Sequence, residues 1–480
     1  MENKQYRPAY AAFISTLFLL VLLGGCLPEL ATVKTESSVV PESFAVSKDT
    51  VTAGAMKWRD YFADTNLIAL IDTALKNNQE LNIIQQEMEI RKYEIGARRG
   101  EYLPFVGLRA GAGLDREGRY TRNGAVDDAV DIEPGKRIPS PLADYTIGAY
   151  ASWEVDVWGK LHNAEKSALS RYLASTEGKN LLVTQLIAEI AESYYELMAL
   201  DNVLLIVQKN TELQTSALNV MKVQKEAARV TQLAVNRFEA QLLNTQNLQY
   251  AVRQRITETE NRINVLTARF PQPVRRSSAM FSELSIDSLR TGIPSQLLRN
   301  RPDIRQAELE LAATKLDVES ARANFYPSFG MKAGVGFRAF NPSFLVNPES
   351  MLFGIAGDIL APLINRNAIE ATYASANARQ IQAAYQYEQT ILRSYADVLN
   401  QLAALENSAQ SHATKLKEVE TLNQSVNIAN NLFASARADY GEVLLTQREA
   451  LDARMDLIDV KLKQMHAKVN IYRALGGGWR

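Results

Sequence analysis

The chain has 480 residues, 22% of them charged, with 53 basic side chains against 54 acidic ones and a formal net charge of −1. So even a balance gives no footprint for nucleic acid or for an anionic membrane surface. Three histidines (His162, His412, His466) and one cysteine (Cys26) supply no Cys/His metal set and no intrachain disulfide, so neither a metal nor an enzyme's nucleophile is expected.

Lys4 and Arg7 precede an apolar run from Ala11 to Leu23 that ends in Gly24-Gly25-Cys26. A basic region, an apolar region and small residues at a cleavage point mark residues 1–25 as a secretory signal peptide. The run is too short for a comfortable membrane helix, which needs about 20 residues. Leu23-Gly24-Gly25-Cys26 resembles the lipobox of bacterial lipoproteins, whose cysteine becomes the acylated first residue. An ordinary signal peptide with a chance cysteine is the alternative. Leu27 follows in place of the aspartate that retains lipoproteins in the inner membrane, which directs the resemblance to the outer membrane. A lipid on Cys26 is thus the only non-protein group expected, no other cofactor being implied, and 26–65 is the lipid-anchored N-terminal segment. No later apolar run has spanning length, so any membrane crossing falls to β-strands.

After an opening helix from about residue 66, the pattern switches to period two. At 103–116, Val106, Leu108, Ala110, Ala112 and Leu114 alternate with Gly107, Arg109, Gly111, Gly113 and Asp115. At 144–157, Tyr145, Ile147, Ala149, Ala151, Trp153, Val155 and Val157 share one face; Asp144, Thr146, Gly148, Tyr150, Ser152, Glu154 and Asp156 share the other. One greasy face and one polar or glycine face over about ten residues is how a transmembrane barrel strand reads, although a soluble sandwich strand can look the same. Glu154, Asp156, Arg109 and Lys332 would then line a barrel lumen.

From Leu161 to Phe270 there is no proline and only Gly178 as glycine, so 158–270 is expected to form a long helical hairpin. A second helix, begun by Arg301-Pro302-Asp303, leads to strands at 327–339, with Phe329, Met331, Ala333, Val335 and Phe337 on one face, and, more weakly, at 351–361. A second hairpin fills 363–475. Its apolar steps of three and four (Val398, Leu402, Leu405; Leu451, Met455, Ile458, Leu462) are those of helices packed side by side.

The two halves repeat. Residues 76–113 align without a gap on 299–336, with Pro104-Phe105-Val106-Gly107-Leu108-Arg109 set against Pro327-Ser328-Phe329-Gly330-Met331-Lys332. The organisation expected is therefore 66–293 and 294–480, each a helix, two strands and a long hairpin, the first closed by a linker. Four strands cannot seal a barrel, since the smallest single-chain barrels have eight, and open edges are not tolerated in lipid. Copies of the chain must share one wall. Three give about twelve strands, whereas two give about eight, whose interior side chains fill.

The stretch Ile293-Pro294-Ser295-Gln296-Leu297-Leu298-Arg299-Asn300-Arg301-Pro302-Asp303, with Phe325-Tyr326-Pro327, Ser152-Trp153-Glu154-Val155-Asp156-Val157-Trp158-Gly159 and the ending Leu475-Gly476-Gly477-Gly478-Trp479, resembles the TolC-like outer-membrane factors. The similarity is to their NodT/OprM-like lipoprotein branch, which serves resistance-nodulation-division (RND) pumps, and it covers nearly the whole mature chain. It implies a mainly α protein with transmembrane β: a homotrimer with a twelve-stranded barrel in the outer membrane and a long periplasmic α-helical barrel. It also implies an equatorial region built from the termini and 271–291, and two partners, a periplasmic membrane-fusion adaptor and an inner-membrane RND transporter. Such a chain is a passive exit duct for small toxic molecules (drugs, dyes, detergents or metal ions), and no catalytic group is needed.

The resemblance also locates the hairpin ends. The family's turn glycines match Ala228 and Ala436, which with Arg229 and Arg437 are the adaptor-docking candidates. Because a Cβ is costly in the left-handed region, these turns are expected to differ in geometry. The positions of the family's leucine and aspartate rings match Gly441 and Leu445, so the aperture candidates are Asp439, Gly441, Glu442, Leu445 and Arg448. Two other readings are a type I secretion duct for polypeptides, which shares the fold, and a non-porous coiled-coil lipoprotein.

Overall fold

The computed structural model describes residues 34–44, 52–284 and 292–479. Cys26 and the signal-peptide segment lie outside the described residues, as does most of the segment 26–65 before residue 52. The chain is mainly helical. In order, it forms α1 (Thr65–Asn77), α2 (Gln79–Glu101), β1 (Phe105–Asp115), β2 (Asp131–Glu133), β3 (Lys136–Arg137), β4 (Leu142–Val155), α3 (Lys160–Glu226) and α4 (Gln232–Leu266). Then come α5 (Pro302–Ala323), β5 (Ser328–Ala339), β6 (Met351–Leu360), α6 (Asn367–Ala434) and α7 (Tyr440–Ala474), with a few helices of one or two turns between these elements. Among the described residues, no helix is long and apolar enough to cross a membrane.

Two compact units divide the chain. The first holds Glu89–Leu173 and Leu309–Ala384. Its centre is one antiparallel sheet of order β1-β4-β5-β6, in which Arg109 faces Gly148, Gly148 faces Gly336 and Gly336 faces Leu352. β4 therefore pairs with a strand nearly two hundred residues away. Two indole N–H groups fix the sheet's starts: Trp153 donates to the Tyr102 carbonyl at 2.8 Å and Trp158 to the Pro327 carbonyl at 2.7 Å. Beside the sheet, Ala321, Phe325, Tyr373 and Ala376 form a small core, and Arg171 pairs with Asp317 while Ser167 bonds the same carboxylate. The loop between β1 and β4 carries a short helix, Arg122–Asp127, and the β2–β3 hairpin. Neither was expected from the sequence.

The second unit holds Glu36–Met88, Ala174–Glu308 and Tyr385–Arg480. Its core joins α1 to the helical hairpins through Leu67, Ile71, Ile187, Ile190, Leu197, Ile263, Met465 and Val469. Asp64 starts α1 by accepting the Asn66 amide at 2.8 Å, and its other oxygen takes the Tyr194 hydroxyl at 2.8 Å, so one carboxylate caps a helix and ties it to α3. The heptad seams are partly filled. Val398, Leu402, Leu451, Ile458 and Met465 are buried, but Leu416 is 43% exposed.

Arg301-Pro302-Asp303 starts a helix, as its residue types require: Pro302 is the first residue of α5, and the Asp303 carboxylate accepts the Ile304 amide at 2.9 Å. Arg301 does more than the sequence shows. Almost buried, its guanidinium bonds Asp303 at 2.7 Å, Asp397 on α6 at 3.3 Å and the Ala474 carbonyl at the end of α7 at 2.8 Å. A second buried arginine, Arg276, binds Asp201 of α3 at 2.6 Å and also Glu260 of α4, fastening the linker after α4 onto both helices.

Candidate functional site

In an antiparallel sheet, registered partners point to the same face and successive residues to opposite faces. The pairing therefore sorts every sheet residue. One face carries Val106, Leu108, Tyr145, Ile147, Trp153, Met331, Val335, Phe353 and Ile355 among its members and not one charged residue. It lies open: Leu108 is 88% exposed, Phe353 77% and Ile355 80%. An apolar surface of this extent has no place facing water. The opposite face carries Arg109, Asp144, Glu154, Lys332, Arg338 and Asp358, together with every glycine of the sheet except Gly357.

Close approach explains two of those glycines. A Cβ on Gly336 would stand 2.5 Å from the Ile147 carbonyl oxygen, and one on Gly148 would stand 2.7 Å from that of Val335. Charges on this face pair across strands: Arg338 grips Asp144 through two bonds of 2.8 Å, and Lys332 lies 3.8 Å from Asp358. Arg109 sits mid-strand on β1, opposite Gly148. Glu154, at the foot of β4, pairs with Lys160.

Asp156 requires a correction. It was expected on the polar face of a strand, but β4 ends at Val155 and Asp156 caps α3. Its oxygens accept the amides of Leu161 and His162 at 3.1 and 2.8 Å, and the His162 imidazole lies at 2.6 Å. A carboxylate facing the unpaired N–H groups of a helix start is worth more there than facing open water.

In the second unit, the two hairpin turns share one design. At the end of α3 the Ala228 amide bonds the Lys225 carbonyl and the Arg229 amide that of Gln224, at 2.9 and 2.8 Å. At the end of α6 the amides of Ala436 and Arg437 bond the carbonyls of Phe433 and Leu432, at 3.0 and 2.8 Å. This is the Schellman closure, which requires a left-handed residue. Ala228 and Ala436 both adopt it, each with φ of 55°. The expectation of altered turn geometry was therefore wrong: two hydrogen bonds per turn hold each alanine in the left-handed conformation that glycine ordinarily supplies. Arg229 and Arg437 stand exposed just beyond.

The next helix then starts on a capping side chain, Thr231 accepting the Ala234 amide at 3.4 Å and Asp439 accepting that of Gly441 at 3.2 Å. Asp439 is thus engaged in capping α7. Gly441, Glu442, Leu445 and Arg448 follow along its first turns; Leu445 is 53% exposed and Arg448 lies 4.0 Å from Asp452. Further along the α6–α7 pair, burial and the Lys461 cation hold the His412 imidazole below the usual histidine range. The Lys461 ammonium, itself pushed down by burial and by Lys468, donates to the Leu284 carbonyl. Sequence reasoning named the turn residues but missed the caps, whose signal is a Thr or Asp three residues past the left-handed alanine.

A family model described as outer membrane efflux protein matches residues 70–269 and 293–477. The chain is 25% identical over 472 residues to the probable outer membrane lipoprotein SilC of Salmonella typhimurium, covering 97% of this chain and 98% of that one. It is equally 25% identical over 472 residues to the toluene efflux pump outer membrane protein TtgI of Pseudomonas putida, covering 96% and 97%. In fold it is similar to the open state of the MtrE outer membrane channel of Neisseria gonorrhoeae, with a TM-score of 0.80 at 22% identity over 95% of this chain and 99% of that one.

Proposed function

This chain belongs to the outer membrane efflux protein family, and on that premise we propose that three copies of it form a passive exit duct through the outer membrane. Each copy contributes its four-stranded sheet to a twelve-stranded barrel and its two hairpins to a helical barrel in the periplasm, the two halves of the chain being duplicates. The observation that carries this reading is the sheet itself: an apolar face open to its surroundings, a polar face rich in glycine, and outer strands β1 and β6 that pair with nothing else among the described residues. A wall with two free edges and a greasy exterior is stable in lipid only when copies close it.

The duct works as the outer-membrane part of a tripartite pump. The hairpin turns at Ala228-Arg229 and Ala436-Arg437 meet a periplasmic adaptor, Asp439, Glu442 and Leu445 lie at the aperture, and an inner-membrane RND transporter supplies the energy. Cargo is small and toxic, a reading supported by a relative named for toluene efflux. Acylation of Cys26 anchors the chain, a reading supported by the lipobox-like sequence and by a relative named as an outer membrane lipoprotein.

Two measurements test this. Protein purified in detergent and added to a planar lipid bilayer should give stepwise ion conductance. Ala110→Cys on β1, combined in turn with Phe353→Cys, Ile355→Cys or Gly357→Cys on β6 in a Cys26-lipidated background, should oxidise to a covalent trimer on a denaturing gel. A silent bilayer, together with monomer only in all three combinations, overturns the proposal.

A further inference from the structure

In the second unit, a cavity of about 350 Å³ lies among α3, α6 and α7 and is lined by Asn210, Gln214, Asn423, Asn427, Gln447 and Arg454 with a few apolar neighbours. Two features set it apart from an ordinary gap between helices. Gln214 is only 3% exposed, and neither its amide nitrogen nor its oxygen has a hydrogen-bond partner; the Asn210 oxygen, on a residue 7% exposed, has none either. A buried polar group left unpaired costs roughly 1–3 kcal/mol, and of these three atoms the Gln214 nitrogen is a donor for which the helices supply no acceptor. The second feature is Arg454. Its guanidinium donates to the Asn423 side-chain oxygen at 3.0 Å, no carboxylate of the described residues pairs with it, and no acidic residue lines the cavity.

We propose that this cavity binds a carboxylate group. The Nε–Nη2 edge of Arg454 is held by the Asn423 oxygen, and its Nη1–Nη2 edge is the planar fork left for the two carboxylate oxygens, the geometry for which guanidinium is suited. The amide of Gln214, turned toward the ligand, donates to the same group, and Asn427 and Gln447 add donors that carry no charge. No lining residue carries a negative charge. The carboxylate comes either from a free small organic acid or from an acidic side chain of a neighbouring copy in the assembly, and the chemistry at Arg454 is the same for both.

The test is thermal denaturation of the purified, assembled protein, with sodium succinate against sodium chloride at equal ionic strength. Succinate should raise the midpoint of the wild type by about 2–4 °C. The shift should persist in Arg253→Gln, which alters an exposed arginine on α4, and vanish in Arg454→Gln. Gln214→Leu guards against a variant that merely folds badly: it should raise the midpoint without succinate, because an unpartnered amide is gone, yet shrink the succinate shift. If instead a neighbouring copy supplies the group, succinate leaves the wild type unchanged. Arg454→Gln then lowers the midpoint at pH 7 but not at pH 3.5, below the ordinary carboxylate pKa of about 4. A succinate shift equal in wild type and Arg454→Gln overturns the proposal. So does no shift in either, without a pH-dependent loss in Arg454→Gln.

Discussion

At Ala228, Ala268 and Ala436 the backbone turns left-handed, with φ of 52–55°, and in each case an arginine follows and a Schellman pair of hydrogen bonds closes the helix. The Cβ costs about 1–2 kcal/mol in this region. Glycine removes that cost but makes the unfolded chain freer by about 0.4–1 kcal/mol, so Ala436→Gly should stabilise the protein slightly, by up to about 1 kcal/mol. Ala436→Val, with a branched Cβ in the same conformation, should destabilise it by about 1–3 kcal/mol. Denaturation midpoints of the three proteins check the order Gly, Ala, Val. His412 offers a pH test at the same scale. Its folded pKa lies below the ordinary histidine value of about 6.5 because burial and Lys461 disfavour the imidazolium. The unfolded chain therefore takes up a proton first as pH falls, and the stability His412 contributes above 6.5 is lost below it, down to the folded pKa. His412→Gln should flatten the stability profile just below pH 6.5, and an unchanged slope would place the acid sensitivity elsewhere.

Secondary elements were legible to the extent that one physical rule governed them. Strict alternation over Val106–Leu114 or Phe329–Phe337 needs no tertiary knowledge, because the pleat alone sends neighbours to opposite faces. Long proline-free segments likewise read as helices, and α3 and α6 have 67 and 68 residues. Pairing order was not legible: that β4 neighbours β5 depends on a contact across the whole first hairpin. Nor was the end of β4, because Asp156 continues the alternation by residue type while its carboxylate belongs to the helix start. The Arg122–Asp127 helix and the β2–β3 hairpin sit in a polar loop with no period to read. The paired glycines give an element-scale prediction. Gly336→Val pushes side-chain atoms into the Ile147 backbone and should cut the protein recovered in outer-membrane fractions about tenfold or more, since a strand shifted in register turns its apolar set inward. Gly354→Ala, with nothing within 4 Å of the added carbon, should leave recovery unchanged on an immunoblot.

For the whole molecule, the four strands end in two unsatisfied edges, one on β1 and one on β6. Each copy in the proposed cylinder depends on both neighbours, and heredity follows from that geometry. In a cell making sound and edge-damaged copies equally, random mixing leaves only about one ring in eight free of a damaged member. Tolerance to a toxic compound should then collapse well below half, as a dominant trait, although half of the gene product is intact.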